Sequence, residues 1–143
     1  MGKRIGIVII CTNCYFILGL RFIKKFDKYY KGNYDITYCI FTDTDPAPYL
    51  IGINNYLYFH NSHNKWCDAT NSKFQNILLL KESGLDYIFF FDADTNIHRE
   101  FNDWFIGDIV GGEHFNNIDM IRNCHFNYEH NELSVAYIPK ILI

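Results

Sequence analysis

At 143 residues the chain has the length of one domain, expected to span 1–143, at the usual ~100–200 residues per domain, which argues against a multidomain machine. Apolar residues make up 49% of it, and a chain of this size buries roughly two thirds of its unfolded surface, so disorder is excluded as the default state. Thirteen basic against sixteen acidic side chains leave a net charge of −3, and the basic ones are scattered, so no electrostatic footprint for a nucleic acid exists.

The strongest apolar runs, residues 5–11 and 87–91, fall far short of the ~18–20 residues that cross a bilayer. No transmembrane segment is therefore expected. The basic start Met-Gly-Lys-Arg precedes an apolar stretch, but no small-residue cleavage site follows, so it reads as the approach to a strand and not as a signal peptide. Five cysteines (Cys11, Cys14, Cys39, Cys67, Cys124) are an odd number in a domain large enough to do without staples, which argues for reduced thiols. A cytoplasmic location is the expectation, with peripheral membrane contact left open. The aromatic content of 18% follows as readily from codon usage as from function.

Taken in chain order, Arg4–Ile10 is a β-branched run of the kind buried on both faces of a sheet. Residues 15–30 place Phe16, Leu20, Ile23 and Phe26 at helical spacing, with Lys24, Lys25 and Lys28 between them. After the turn at Lys31-Gly32-Asn33, residues 36–41 have strand composition and stop at Thr42-Asp43-Thr44-Asp45-Pro46. Residues 56–59 form a further short strand. From Asp68, a plausible N-cap, the pattern is helical through Ser83, with Phe74, Ile77, Leu78 and Lys81 suitably spaced and Gly84 at the C-cap position. Residues 87–91 then form a second buried strand ending in Asp92. Alternating strands and helices predict an α/β fold with a mostly parallel sheet, which binds ligands at the carboxyl ends of its strands. Residues 11–15, Thr42-Asp43 and 92–94 all lie at such ends.

Asp92-Ala93-Asp94 is the sharpest feature. Two carboxylates one residue apart at the mouth of an apolar strand are costly to hold close without a cation between them. Hard oxygen ligands suit Mg²⁺ or Mn²⁺ over zinc, and such ions complete their shells with water and substrate phosphates, so a nucleoside diphosphate is implied. The alternative is plain: Asp92 closes the strand and Asp94 faces water.

The surrounding blocks carry a resemblance over nearly the whole chain. Ile5-Gly6-Ile7 with Cys11-Thr12 and Tyr15, residues 38–43 ending in Phe-Thr-Asp, Trp66-x-Asp68-x-Thr70, and Asp86-Tyr87 leading into Asp92-x-Asp94 stand in the order found in glycosyltransferase family 6. That family includes the histo-blood-group transferases and α-1,3-galactosyltransferase. Gly111-Gly112-Glu113-His114 resembles its Gly-Thr-Leu-His segment. Tyr128-Glu129 and Ala136-Tyr137-Ile138-Pro139-Lys140 resemble its Thr-Tyr-Glu-Arg-Arg and Ala-Tyr-Ile-Pro stretches.

The resemblance implies a GT-A type, Rossmann-like nucleotide-sugar-binding fold. It also implies a retaining enzyme that moves galactose or N-acetylgalactosamine from UDP to a glycan acceptor, forming an α-1,3 bond with Mn²⁺ or Mg²⁺ as cofactor. On that reading Asp94 holds the metal and Asp92 assists through ribose or water, with Ala93 between them in the donor site. Ile10, Cys11, Thr12 and Tyr15 match the uracil and ribose pocket, Lys73 stands where the family carries an arginine near the donor, and His114 matches a histidine near the acceptor sugar. Lysine supplies a point charge in place of a bidentate fork. Some bacterial members have Asn-x-Asn and work without metal, so two Asp here favour metal dependence.

The family continues into Tyr-Tyr-x-Gly-Gly and Trp-His-Asp-Glu segments, the latter holding the glutamate that faces the anomeric carbon. This sequence stops at Ile141-Leu142-Ile143, so it resembles the donor half of an enzyme. A split gene, a fragment and a truncated protein are the competing explanations, and association with a chain supplying the rest is expected. The alternative function is a noncatalytic nucleotide-sugar-binding or interaction module. Within the enzyme class, a glycogenin-like family 8 transferase is a further option, against which the Ala-Tyr-Ile-Pro block weighs. Among smaller signals, Cys11-x-x-Cys14 has redox or zinc half-site spacing but lacks a second pair, and the His60/His63 and His125/His130 pairs read as solvated. His98 is a minor candidate for a donor-site contact.

Overall fold

β-Branched side chains sit in few rotamers and pack well on a pleated surface, and Arg4–Ile10 accordingly forms strand β1, with residues 5–10 all buried. The computed structural model describes residues 2–62, 68 and 71–103, all within one compact unit, Met1–Phe105. A 3-10 turn, Asn13–Tyr15, leads into helix α1, Phe16–Tyr29, which buries Phe16, Gly19, Leu20, Phe22, Ile23 and Phe26 along one stripe. Tyr30 turns extended and closes the helix, its N–H donating to the Phe26 carbonyl at 2.8 Å. Strand β2 (Asp35–Thr42), strand β3 (Tyr56–His60), helix α2 (Lys73–Leu78) and strand β4 (Tyr87–Asp92) follow.

The four strands make one parallel sheet in the order β3-β2-β1-β4. Helix α1 carries the chain from β1 to β2, and the stretch containing α2 carries it from β3 past two strands to β4. Strand order therefore grows one way from β1 through β3 and then jumps to the other side of β1. That makes the gap between the carboxyl ends of β1 and β4 the topological switch point, where open α/β sheets leave a crevice. Successive side chains of each strand take opposite faces. Helix α1 covers one face through Phe26 on Tyr38 (6.0 Å between ring centroids) and Phe22 on Phe91 (5.2 Å). Leu80 packs on the other with Val8, Ile10, Cys39 and Phe41. The α/β expectation thus holds as an all-parallel sheet, within the described residues, with helical segments on both faces.

Several sequence-based expectations need correction. The helix read through Ser83 stops at Leu78, and from Leu79 the N–H groups bond three residues back in place of four (Leu79 to Asn76, Leu80 to Ile77, Lys81 to Leu78). This tightening swings Leu80 onto the sheet, where it is 1% exposed, and leaves Phe74 and Leu78 facing outward at 69% each. The helical face therefore lies elsewhere than the spacing of Phe74 and Leu78 implied. Asp68 is itself helical instead of preceding the helix, with the Ser72 N–H on its carbonyl at 3.0 Å, and Gly84, at φ +70, serves the turn into β4 and not a helix cap. Finally, β4 is only half-buried except at Phe89, because among the described residues it pairs with β1 alone.

Beyond β4 the chain runs back along α1. Lys25 Nζ donates to Asn96 Oδ1 at 2.6 Å, Phe101 forms a parallel bridge with Tyr30, and Asp103 accepts the Tyr30 hydroxyl and the Asn33 N–H. Burial, reinforced by the Asp103 carboxylate, pushes the Tyr30 phenol well above its usual range.

Candidate functional site at the carboxyl edge of the sheet

Register brings the candidate residues to one edge. Ile10, the last residue of β1, stands opposite Phe41 on one side and Asp92 on the other. The chain leaves β1 through a loop pinned to the end of β2: Cys11 N–H donates to the Phe41 carbonyl at 2.9 Å, and Thr42 Oγ1 donates to the Cys11 carbonyl at 2.7 Å. Asn13 then adopts a left-handed conformation, φ 53, which Asn tolerates better than other non-glycine residues. Its N–H is shared between both oxygens of Asp43, at 3.1 and 3.2 Å.

Ile10, Cys11 and Thr12 are 9%, 1% and 6% exposed, so their side chains belong to the core and a ligand would meet only their backbone. Burial pushes the Cys11 thiol up to about 12, which makes it a poor nucleophile or metal ligand. Tyr15 lies on the rim, partly exposed, and next to it Phe16 meets the ring of Tyr49 edge-on at 5.3 Å.

Across the switch point, Asp92 ends β4 and Ala93 is buried, while the Thr95 N–H closes a turn on the Asp92 carbonyl at 2.9 Å. Asp94 is exposed, as the plainer reading of the pair held. Asp92 closes the strand, as that reading also held, and in addition pairs with Lys73, whose Nζ sits 3.3 Å from its Oδ1, with both side chains about one-third to one-half exposed. Lys73 is the first residue of α2, and its Nζ also lies over the face of the Phe90 ring, 4.4 Å from the centroid.

Among the described residues no group of three or more His, Cys, Asp or Glu is placed to hold a metal ion. Asp92 and Asp94 are hard oxygen donors, and Mg²⁺-type ions are commonly held by one or two carboxylates with water and substrate phosphates completing the shell. The chemistry of this donor set fits such an ion.

The structure thus brings Ile10, Cys11, Thr12, Tyr15, Lys73, Asp92, Ala93 and Asp94 to the same edge. His98 is exposed, and His60 Nδ1 shares a hydrogen bond with the Tyr58 hydroxyl at 3.2 Å. Cys11, Cys14 and Cys39 are free thiols. His114, with His63, Trp66, Cys67, Thr70, Cys124, His125, His130 and the segments at 111–114 and 128–140, lies outside the described residues.

Sequence reasoning missed two contributors. In the sequence Asp43 reads only as part of the turn at a strand's carboxyl end, though it clamps the β1 loop. The signal was present in Asn13, an αL-tolerant residue just past a buried strand. The second is a chain of amides, Asn61 Nδ2 to Asn76 Oδ1 (3.3 Å) and Asn76 Nδ2 to Ser72 Oγ (3.2 Å), which ties the end of β3 to α2. Asn76 is 5% exposed, and nothing in its sequence context distinguishes it from a surface helix position.

Fold and edge together define an α/β protein with its polar and charged groups at the switch point of a parallel sheet. The chain matches no protein-family model, and no curated protein is significantly similar to it.

Proposed function

We propose that this chain is the donor-binding part of a retaining, GT-A type glycosyltransferase that takes UDP-galactose or UDP-N-acetylgalactosamine together with Mn²⁺ or Mg²⁺. The resemblance of its sequence blocks to glycosyltransferase family 6 suggests the reading. The observation that carries it is the register of Ile10 with Asp92, which sets the acidic pair beside the pinned β1 loop at the switch point.

In this arrangement the backbone of residues 10–12 and the Tyr15 ring hold the base and ribose. Lys73 would face the diphosphate, and Asp92 and Asp94 would hold the cation. Sugar transfer breaks the bond between the anomeric carbon and the diphosphate oxygen, joins that carbon to the acceptor oxygen, and releases the acceptor's hydroxyl proton. A bound divalent ion supplies Lewis-acid stabilisation of the charge that gathers on the departing diphosphate. The chain's own share is to orient the donor and keep its diphosphate against Lys73.

Calorimetric titration of UDP tests the reading. Affinity in Mn²⁺ should exceed that in EDTA by about tenfold or more, and Asp94→Ala in Mn²⁺ should behave like wild type in EDTA. Equal affinities with and without metal would overturn it. Turnover of UDP-galactose above that of the Asp94→Ala variant separates transfer from binding alone.

A further inference from the structure

Helix α2 spans only six residues, Lys73–Leu78, too short to hold itself together in water, so its place is set by what it buries. Its apolar Phe74 and Leu78 face outward, while the residue it buries is a carboxamide, Asn76, 5% exposed. A leucine would fill that position without the desolvation cost of an amide, but apolar contacts have no preferred direction and would let the helix rotate and slide. The Asn76 amide removes that freedom. Its Oδ1 accepts from Nδ2 of Asn61, just past β3, at 3.3 Å, and its Nδ2 donates to Ser72 Oγ at 3.2 Å. The Asn76 N–H adds a bond to the Ser72 carbonyl at 2.9 Å, so the residue before Lys73 is held through both backbone and side chain. Lys73 and Asn76 stand three positions apart and share the inward face. From there the lysine reaches the opposite outer strand of the described sheet, its Nζ 3.3 Å from Asp92 Oδ1 and 4.4 Å from the centroid of the Phe90 ring.

We propose that Asn76 is a positioning residue, whose buried amide fixes the rotation and axial place of α2 and thereby delivers the Lys73 ammonium to the carboxyl edge of the sheet. The placement of Lys73 follows from the packing alone. That a phosphate group of a bound nucleotide meets the lysine there rests on the donor-site reading above. Asn76, being buried, acts on binding through Lys73 and not by touching the ligand.

Two measurements on the full chain test this. A proton above the face of an aromatic ring is shielded, so the ε-methylene of Lys73, over Phe90, should resonate upfield of the other lysines in a carbon–proton correlation spectrum of lysine-labelled protein. Lys73→Arg assigns that peak by removing it. In Asn76→Leu the peak should move to the position of the exposed lysines, and Asn61→Ala, which removes only the outer donor, should move it the same way. Gln75→Leu, which puts the same new residue on the exposed side of α2, should leave it in place. Calorimetric titration of UDP in Mn²⁺ reads the consequence: Asn76→Leu should bind about three- to tenfold more weakly than wild type, and should lose nothing further when combined with Lys73→Gln. A Lys73 peak unmoved in both Asn76→Leu and Asn61→Ala overturns the inference, whether or not UDP binds. Losses that multiply in the double variant overturn it too, since Asn76 would then act apart from Lys73. Failure of UDP to bind the wild type overturns the donor-site reading, and the spectrum alone then decides the positioning of Lys73. If circular dichroism shows Asn76→Leu unfolded, Asn61→Ala carries the test, and an unmoved peak there overturns the inference.

Discussion

Asn13 concentrates much of the local design of the site in one residue. Its left-handed backbone aims the N–H at Asp43, so the loop leaving β1 is held to the end of β2 by a charge-assisted, shared hydrogen bond. A β-branched side chain at that φ clashes with its own backbone. Asn13→Val should therefore lower the unfolding free energy by about 1–2 kcal/mol more than Asn13→Gly, which is free of that clash. Urea unfolding midpoints at constant m-value measure both. Equal losses in the two variants would mean that the Asn side chain matters here and the backbone conformation does not.

At the level of elements, α1 and β1 are fitted closely near the site. A Cβ placed on Gly19 would lie 2.6 Å from both Cβ and Sγ of buried Cys11, so the helix approaches the strand end more closely than any side chain permits. Gly19→Ala should cost about 1–3 kcal/mol of stability by overpacking, despite alanine's better helix propensity, and a chemical denaturation curve reads the sign directly. A gain in stability would show that helix and strand can separate without loss. Helix α2 shows the opposite case. The spacing of its apolar residues suggested a long amphipathic helix, yet the core contact comes from Leu80 in the turns beyond its end and from Asn76 within it. Period alone identified a helix here but assigned its inward face wrongly, because the i→i+3 bonds after Leu78 rotate the chain by an amount no pattern encodes.

For the molecule as a whole, the buried thiols impose a pH dependence. Burial pushes Cys11 and Cys39 from the ordinary 9.0 to about 12, with the hydrogen bond to Thr42 and the charge of Arg4, respectively, opposing the shift. The unfolded chain loses these protons first as pH rises, so above the ordinary thiol range it binds fewer protons than the native state and stability must fall. Urea midpoints should thus be insensitive to these thiols below about pH 8, decline from about pH 9 toward 12, and decline less in the Cys11→Ala/Cys39→Ala variant. A midpoint unchanged between about pH 8 and about pH 10.5 would contradict the burial of both groups. Tyr38, raised by burial and by Asp27, adds to the decline in the same direction from about pH 10 upward.

What the sequence determined unaided is whatever follows from local chemistry. The β-branched run of β1, the 3.6-residue stripe of α1, the strand compositions of β2 and β4 and the position of Asp92-Ala93-Asp94 at a strand mouth were all legible, because each depends on neighbours within a few residues. Only the tertiary structure decided that β4 lies beside β1 and not beyond β3. It likewise decided that Asp92 faces Lys73 across 19 positions of chain and that Asp43 clamps a loop 30 residues upstream. These pairings come from which apolar faces find each other when the sheet assembles, a long-range choice made by burial, and burial is a property of the whole chain and not of any window of it.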